Sequence, residues 1–152
     1  MRWKFKRMNR LLHLTYIFLA SFTVSLSQEY GIAEEVSTKE LFKMGNYRGA
    51  LVEYLEKSKE DHNNAEYKHK IGSCYLNIAG DKSRSIPYLK EAIKLDPENL
   101  QAKFDLAKSY HFLMDFDKAI DLYKNYKDKT TDPMETENAS RQIEMCLSGK
   151  EL

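Results

Sequence analysis

The chain has 152 residues, of which 31% are charged, with few glycines and prolines and a formal net charge of +1. This length suits one small domain, and the composition is typical of a helical protein with solvated outer faces. Five basic residues precede the first acidic residue, Glu29, so 19 of the 24 basic residues remain against 23 acidic ones in the rest of the chain. That balance gives no electrostatic case for nucleic-acid binding.

The first 27 residues have the pattern of a secretory signal peptide. A basic head precedes the apolar run LLHLTYIFLASFTVSLS, which ends with the small residues Ser25 and Ser27. Cleavage after Ser27 would leave Gln28 as the first mature residue. A spanning helix needs about 20 mostly apolar residues, and this run is shorter and interrupted by polar side chains, so a retained anchor is the alternative. No cysteine follows the run, so a lipid anchor on cysteine has no acceptor there.

Residues 28–152 contain three copies of a helical pair, spaced by 34 or 35 residues. Matched positions carry small residues where two helices would approach closely: Ala50, Gly72, Ser85, Ala107 and Ala119. Other matched positions carry large residues that would fill the space between helices: Tyr54, Tyr75, Leu89, Tyr110 and Tyr123. A 34-residue period with two amphipathic helices per copy is typical of tetratricopeptide repeats. We predict repeats at about 31–64, 65–98 and 99–132, with one extra residue in the turn of the middle copy.

The predicted fold is an all-α solenoid, because a single helical pair cannot bury its apolar face and must stack on its neighbours. Helices are predicted at about 30–44, 47–60, 65–78, 84–95, 98–113, 116–129 and 133–148. Pro87 should lie in the first turn of its helix, where a missing N–H costs little. Pro97 should free Asp96 to cap a helix that begins at Pro97.

A capping helix at about 133–149 should cover the last repeat. Asp132 can cap this helix, Pro133 suits its first position, and Glu135 would complete an Asp-x-x-Glu capping box. Gly149 can end the helix.

Two cysteines, Cys74 and Cys146, lie on predicted helices that are separated by a further helical pair. An exported protein could pair them in a disulfide. The other interpretation is two buried free thiols that pack like small apolar residues.

The sequence shows no pattern of catalysis. It has no Gly-x-Ser-x-Gly, no phosphate-binding glycine loop and no His-Glu-x-x-His. His62 stands in a polar turn, and His69 and His111 lack further ligands at helical spacing for a metal. We therefore expect a protein that is not an enzyme and that uses no cofactor or metal.

The remaining candidate site is a groove lined by the first helix of each repeat. Exposed aromatic side chains with polar neighbours suit recognition of a peptide or helix. The alternative is that the apolar members Leu76, Phe104 and Phe112 pack between helices as core. The residues predicted to face the groove are Lys39, Phe42 and Lys43, then His69, Ser73, Leu76 and Asn77, then Phe104, Lys108, His111 and Phe112.

The repeats depart from those of tetratricopeptide co-chaperones, which grip an acidic peptide end with Lys and Asn on one first helix and Asn, Lys and Arg on the following ones. At those positions the first copy offers Glu35 and Lys39, and the second has His69 and Ser73. We therefore do not expect binding of chaperone tails.

Four segments, YKHKIGSCYLN, SIPYLKEAIKLDPEN, DLAKSYHFLMDFDKAIDLYKNY and RQIEMCLSGKEL, together resemble the N-terminal tetratricopeptide region of OmpA-like cell-envelope proteins of Bacteroidetes. Some of those proteins belong to the type IX secretion and gliding apparatus. The resemblance spans nearly all of residues 28–152. It implies an exported, periplasmic adaptor or scaffold with protein partners, associated with an outer-membrane or peptidoglycan-linked complex.

In that family a β-propeller and a peptidoglycan-binding domain commonly follow, whereas this chain stops at Leu152 and carries no peptidoglycan-binding motif. It would be a short member, a truncated product or the first part of a longer protein. The leading hypothesis is a non-catalytic interaction module that presents its groove to a protein partner. The alternative is a structural spacer with an empty groove, which contacts an envelope complex through its convex side or its end.

The leader makes a direct prediction. A bacterial host that exports the full chain should yield a periplasmic protein whose intact mass corresponds to residues 28–152. The basic head is needed for export, so replacing its five cations with glutamine should leave the precursor uncleaved in the cytoplasm. A membrane-bound product that keeps residues 1–27 would favour the retained anchor instead.

Overall fold

The structure, a computed structural model, describes residues 36–80 and 82–151. Residues 38–152 form a compact unit, and its seven described α-helices are α1 Thr38–Lys43, α2 Tyr47–Glu60, α3 Ala65–Asn77, α4 Ser85–Leu95, α5 Leu100–Phe112, α6 Phe116–Lys129 and α7 Pro133–Lys150. A 3-10 turn at Lys82–Arg84 leads into α4. The predicted leader and the predicted helical residues 30–35 lie outside the described residues.

The helices pack as three successive pairs that are closed by a last helix. The pairs are α1 with α2, α3 with α4, and α5 with α6, and α7 packs on α6. Contacts of α2 with α3, and of α5 with α3 and α4, join the pairs. The predicted all-α solenoid of three helix-turn-helix repeats and a capping helix is therefore confirmed. No helix in the described part of the chain is both long and apolar enough to cross a membrane.

The small residue at Gly72 sets the distance between α3 and α4. A Cβ atom at Gly72 would lie 2.5 Å from Cγ of Leu89 and 3.3 Å from the backbone nitrogen of Leu89. The other small residues at matched positions are also fully buried: Ala50, Ser85, Ala107 and Ala119. The pattern of small residues facing large ones thus marks where helices meet.

The buried apolar side chains form two clusters. One is built on Ala50, Tyr54, Ile71 and Cys74, and a larger one extends from Leu89 through Tyr123 to Cys146. Both cysteines are free and fully buried, in different clusters, so the expected alternative of two packed thiols is confirmed. Burial raises the pKa of the Cys74 thiol to about 12, which keeps it protonated at neutral pH.

The first helical pair differs from the second at the position of Gly72. Thr38, which lies 34 residues earlier on α1, occupies the matching position. Thr38 is 3% exposed, and its hydroxyl donates a hydrogen bond to the Glu53 carboxylate. The same hydroxyl accepts a hydrogen bond from Nζ of Lys57 at 2.6 Å. A polar residue at a close-contact position is thus tolerated because α2 supplies both a donor and an acceptor.

The prediction that Asp96 caps a helix starting at Pro97 is wrong. The backbone N–H of Asp96 closes α4 by donating to the Ala92 carbonyl at 2.8 Å. Pro97 lies in a turn, and α5 begins only at Leu100. The cap is Asn99, whose side chain accepts a hydrogen bond from the Ala102 nitrogen at 2.9 Å. Asparagine is as good a cap as aspartate, and it stands three residues nearer the helix.

Pro87 lies in the first turn of α4, as predicted, and the extra residue of the middle copy falls in the turn before it. Lys82 stabilises this turn, since its Nζ donates to the carbonyls of Leu76 and Ile78 at 2.7 Å each. These carbonyls lie at the end of α3, where backbone acceptors lack helical partners.

The prediction for α7 is right at its start and wrong in two details. Asp132 caps it, accepting a hydrogen bond from the Met134 nitrogen at 2.8 Å. However, Glu135 does not complete a capping box, because its carboxylate accepts hydrogen bonds from the hydroxyls of Tyr126 and Thr130. Gly149 does not end the helix, which continues to Lys150.

Gly149 instead leaves space for a neighbour on α6. A Cβ atom at Gly149 would lie 2.7 Å from Cζ of Phe116. The glycine therefore allows α7 to approach the start of α6.

Gly72→Ala should destabilise the protein by about 1–2 kcal/mol, although alanine is the better helix former. The added methyl group would overlap Leu89, which is fully buried and cannot move into solvent. Leu89→Ala alone should cost about 2–5 kcal/mol. In the double variant the methyl group occupies part of the space that Leu89 vacates. The loss of stability should therefore be smaller than the sum of the losses in the two single variants. Urea unfolding of the four proteins measures this coupling, and strict additivity would contradict the contact.

Candidate functional site

The eleven residues predicted to face the groove divide into exposed, half-buried and buried side chains. Lys39, Lys43, Asn77 and Phe112 are exposed, and Phe42, Lys108 and His111 are half-buried. His69 and Ser73 are buried, with 7% and 4% of their surface exposed. Leu76 and Phe104 are buried as well. These two apolar residues therefore pack between helices as core, which was the alternative to facing the groove.

His69 and Ser73 do not present free polar groups to a groove, because Asp105 engages both. Nε2 of His69 lies 3.0 Å from Oδ2 of Asp105, and the Ser73 hydroxyl donates a hydrogen bond to the same oxygen. The three side chains connect α3 with α5. Asp105 is 7% exposed, so this carboxylate needs donors from α3 in place of water.

The surroundings of Asp105 favour its charged form. Burial alone would raise the pKa of this carboxyl, but hydrogen bonds from His69 and Ser73, together with the charges of His69 and Lys108, lower it below its ordinary value of 3.8. The three residue types are those of a hydrolase triad, but the geometry differs. The serine hydroxyl donates to the carboxylate, not to the histidine, so the contact pairs no nucleophile with a base. The arrangement joins two repeats.

Ser109 extends this polar contact along α5. Its hydroxyl lies 2.9 Å from the Asp105 carbonyl oxygen and 2.7 Å from Oγ of Ser85, the first residue of α4. Both serines are fully buried. The middle and last repeats are therefore connected by polar side chains as well as by apolar packing.

An exposed apolar surface lies at the turn between α5 and α6. Phe112, Leu113 and Met114 are 59%, 41% and 76% exposed. Nζ of Lys82 lies 5.5 Å from the centre of the Phe112 ring, while hydrogen bonds to the end of α3 fix its position. We call Lys82, Phe112, Leu113 and Met114 the turn patch. An apolar surface with a fixed cation suits a partner that offers apolar and acidic side chains.

The backbone of the turn patch has an unusual conformation at Met114. Its φ angle is +60°, a value that side chains with a Cβ atom rarely adopt. The matching residue in the first copy is Gly45, with φ +77°. Copy three therefore carries methionine where the first copy carries glycine.

His111 connects the turn patch with the core. Its ring centre lies 5.9 Å from that of Phe116 and 6.3 Å from that of Tyr123, in edge-to-face arrangements. Burial lowers the pKa of His111 below its ordinary value of 6.5, so the ring is neutral at pH 7. It therefore acts there as an uncharged aromatic surface.

A second aromatic residue with a cation lies at the first repeat. Nζ of Lys70 is 4.4 Å from the centre of the Phe42 ring. Phe42 also packs edge-on against Tyr47 of α2, at 5.3 Å between ring centres. Phe42 thus belongs partly to the core and partly to the surface.

The register of the first helices predicts Phe112, His111 and Lys108, but it does not predict Lys82, Leu113 or Met114, which lie in turns. The signal that could have found them is a Leu-Met pair in a turn, where polar residues and glycine are usual. In the part of the chain that is described, no group of three or more His, Cys, Asp or Glu side chains could hold a metal ion.

No family model and no curated protein matches the sequence. Among solved structures, the chain is similar to PcrH, which was crystallised in complex with the chaperone binding region of PopD. The TM-score is 0.61 and the sequence identity 17%, over 85% of this chain and 93% of that one. At this identity the similarity shows a shared helical-repeat fold.

Asp105→Asn should lower the free energy of unfolding at pH 7 by about 2 kcal/mol, because two donors lose a buried charged acceptor. The pKa of Asp105 is lower in the folded state, so its stabilisation is present above about pH 4 and lost as pH falls through the lowered value. The variant should therefore lose less stability on acidification than the parent. Urea unfolding between about pH 2.5 and 7 measures both effects.

Asp128→Asn, at an exposed position of α6, is the matched control and should unfold like the parent. Equal midpoints for Asp105→Asn and the parent at pH 7 would show that the buried contact adds no stability.

Proposed function

We propose that this protein is a non-catalytic interaction module that binds a segment of a partner protein at the turn patch. The carrying observation is Met114, a methionine at positive φ in a repeat position that holds glycine in the first copy. It costs backbone strain, and its side chain, 76% exposed, recovers little burial within this chain.

The strain argues for a use outside the fold. A residue with a Cβ atom in the left-handed region costs on the order of 1–2 kcal/mol compared with the right-handed region. Glycine avoids most of this cost at the same position of the first copy. A partner that covers Met114 would supply the apolar burial that the isolated chain lacks.

The chemistry of the surface indicates the kind of partner. Phe112, Leu113 and Met114 offer apolar contacts, and methionine adapts its shape to different partners. Lys82 and half-buried Lys108 offer positive charge, whereas His111 is neutral at pH 7. A partner segment with apolar anchors and neighbouring acidic side chains fits this combination best.

The structural comparison supports a protein partner in general terms. PcrH, which shares the fold, was solved with a region of another protein bound to it. A helical-repeat scaffold of this type can therefore serve for binding a segment of a second protein.

We further propose that the protein works in the cell envelope, as part of a scaffold associated with the outer membrane. This rests on the predicted signal peptide over residues 1–27 and on the resemblance to envelope proteins of Bacteroidetes.

A second candidate function is that of a spacer that contacts a larger complex through α7. The observation in its favour is the exposure of Met134, Met145 and Leu147 on this last helix, at 75%, 52% and 49%. Leu147→Glu tests it, because this side chain is exposed, whereas Ile143 packs against the core. Loss of assembly with Leu147→Glu, but not with turn-patch variants, would favour the spacer.

The turn patch predicts separate effects on stability and on binding. A photo-crosslinking residue at position 112 should capture one main protein in envelope fractions, whereas the same residue at the exposed position 124 on α6 should not. Against that protein, once purified, Phe112→Ala should weaken binding by about thirtyfold, because hot-spot aromatic residues contribute about 2 kcal/mol.

Met114→Gly should weaken binding while leaving the unfolding midpoint unchanged or higher, because relief of strain offsets the flexibility of glycine. Met134→Ala removes an equally exposed methionine on α7 and should leave binding intact. If Met114→Gly binds as tightly as the parent, the turn patch is not the binding site.

A further inference from the structure

A cleft of about 390 Å³ lies between α2 and the end of α3, and the turn before α4 closes it. Leu51 and Val52 of α2 and Ile78 at the end of α3 form an apolar wall. Val52 is 62% exposed, so this wall faces solvent. The cleft shares no lining residue with the turn patch. Its volume is within the range that accepts a small ligand or one or two side chains of a partner.

Arg84 is held in a fixed orientation on one side of the cleft. Its guanidinium carbon lies 4.4 Å from the centre of the Tyr75 ring, and its Nη2 donates to the Tyr75 hydroxyl at 3.0 Å. Tyr75 stacks on Tyr88 of α4, with 5.6 Å between ring centres. The arginine therefore loses little side-chain entropy when it binds a ligand, and its other N–H groups can serve as donors.

The charged side chains among the described residues that line the cleft are both basic. Arg48, at the start of α2, is the second cation in the lining, and no described aspartate or glutamate lines the cleft. Neither arginine forms an ion pair with a carboxylate of the described residues. Two guanidinium groups beside an apolar wall thus face solvent without a described counter-charge.

We propose that this cleft, the arginine cleft, binds a segment of a partner protein in which a glutamate or aspartate stands next to a bulky apolar residue. The carboxylate would accept paired hydrogen bonds from Arg84 and charge assistance from Arg48. The apolar side chain would cover Val52 and Leu51. The proposal goes beyond the function of the turn patch, because it assigns a second, separate docking surface with its own partner chemistry.

A nucleic acid fits these observations less well. A phosphate backbone would use the two guanidinium groups, but it has no group that covers the exposed aliphatic wall. The balance of charge after residue 27 is also acidic overall. The peptide is therefore the occupant that uses both halves of the cleft.

A larger cleft of about 500 Å³, between α4, α5 and α6, serves as the internal comparison. Lys90, Lys103 and Lys129 line it together with Asp121. Its cations are lysines, whose flexible side chains do not form the paired hydrogen bonds of a guanidinium, and a carboxylate is already present. Changes there lower the net charge without touching the arginine cleft.

The probe is a fluorescent eight-residue peptide that contains glutamate–phenylalanine–glutamate between glycines and serines, and its binding to the purified protein is followed by fluorescence anisotropy. There are three comparison probes. The first peptide has lysine in place of both glutamates, the second has alanine in place of phenylalanine, and the third probe is single-stranded DNA of eight nucleotides. The acidic aromatic peptide should bind at least tenfold more tightly than either altered peptide.

Arg84→Ala and Arg48→Ala should each weaken binding of this peptide, by about tenfold for Arg84 because it is the fixed donor. Arg84→Lys keeps the charge but loses the fork of donors, so it should also bind weakly. Lys90→Glu with Lys129→Glu, in the comparison cleft, should leave the affinity within about twofold in high-salt buffer, where long-range charge effects are screened. Phe112→Ala, in the turn patch, should also leave it unchanged.

All of the substituted arginines and lysines are exposed, and circular dichroism during thermal unfolding verifies that each variant is folded. The proposal is overturned if the lysine-containing peptide or the DNA binds as tightly as the acidic peptide. It is also overturned if Arg48→Ala and Arg84→Ala both bind like the parent. Because Phe112→Ala tests the turn patch separately, failure of one surface does not decide the other.

Discussion

The fold depends on how closely α3 and α4 approach at Gly72 and Leu89, because α3 is the helix on which the neighbouring repeats converge. Gly72 allows Leu89 to pack directly against the α3 backbone. With α3 in this place, His69 and Ser73 reach Asp105 on α5, and the carbonyls at the end of α3 accept hydrogen bonds from Lys82. A shift of α3 by one methyl group would therefore disturb an apolar contact, a buried carboxylate and a turn together.

Much of the fold could be predicted from the sequence, because helix contacts repeat at a fixed spacing. Small residues at Ala50, Ser85 and Ala119 mark close approaches, and hydrophobic periodicity marks the helices between them. The bounds of α2 and α6 agree with the prediction to the residue. Helix ends were less predictable where two caps compete. Asp96 and Asn99 are both good caps, and only the backbone path shows that Asn99 is used.

Polar contacts between helices could not be predicted, since a sequence shows that a residue is polar but not which group meets it. Asp105 lies 36 residues from His69 and 32 from Ser73, and no local pattern connects them. Periodicity therefore placed both α3 side chains on an open groove, where the structure instead buries them. The candidate site was predicted only where it lies on a helix, at His111 and Phe112. The significance of Met114 depends on a backbone angle that side-chain patterns do not report.

The two proposed surfaces have a common structural origin in the 3-10 turn that follows the extra residue of the middle copy. This turn begins with Lys82 and ends with Arg84. Lys82 extends toward Phe112 and Arg84 lies against Tyr75, so one three-residue turn supplies a cation to each surface. The fold itself does not require these cations in the first copy, where Gly45 and Asn46 lead directly into α2. Lys82 also stabilises the end of α3, but Arg84 is exposed. An exposed cation contributes little to the free energy of unfolding, so the place of Arg84 beside an apolar cleft is better explained by binding than by stability.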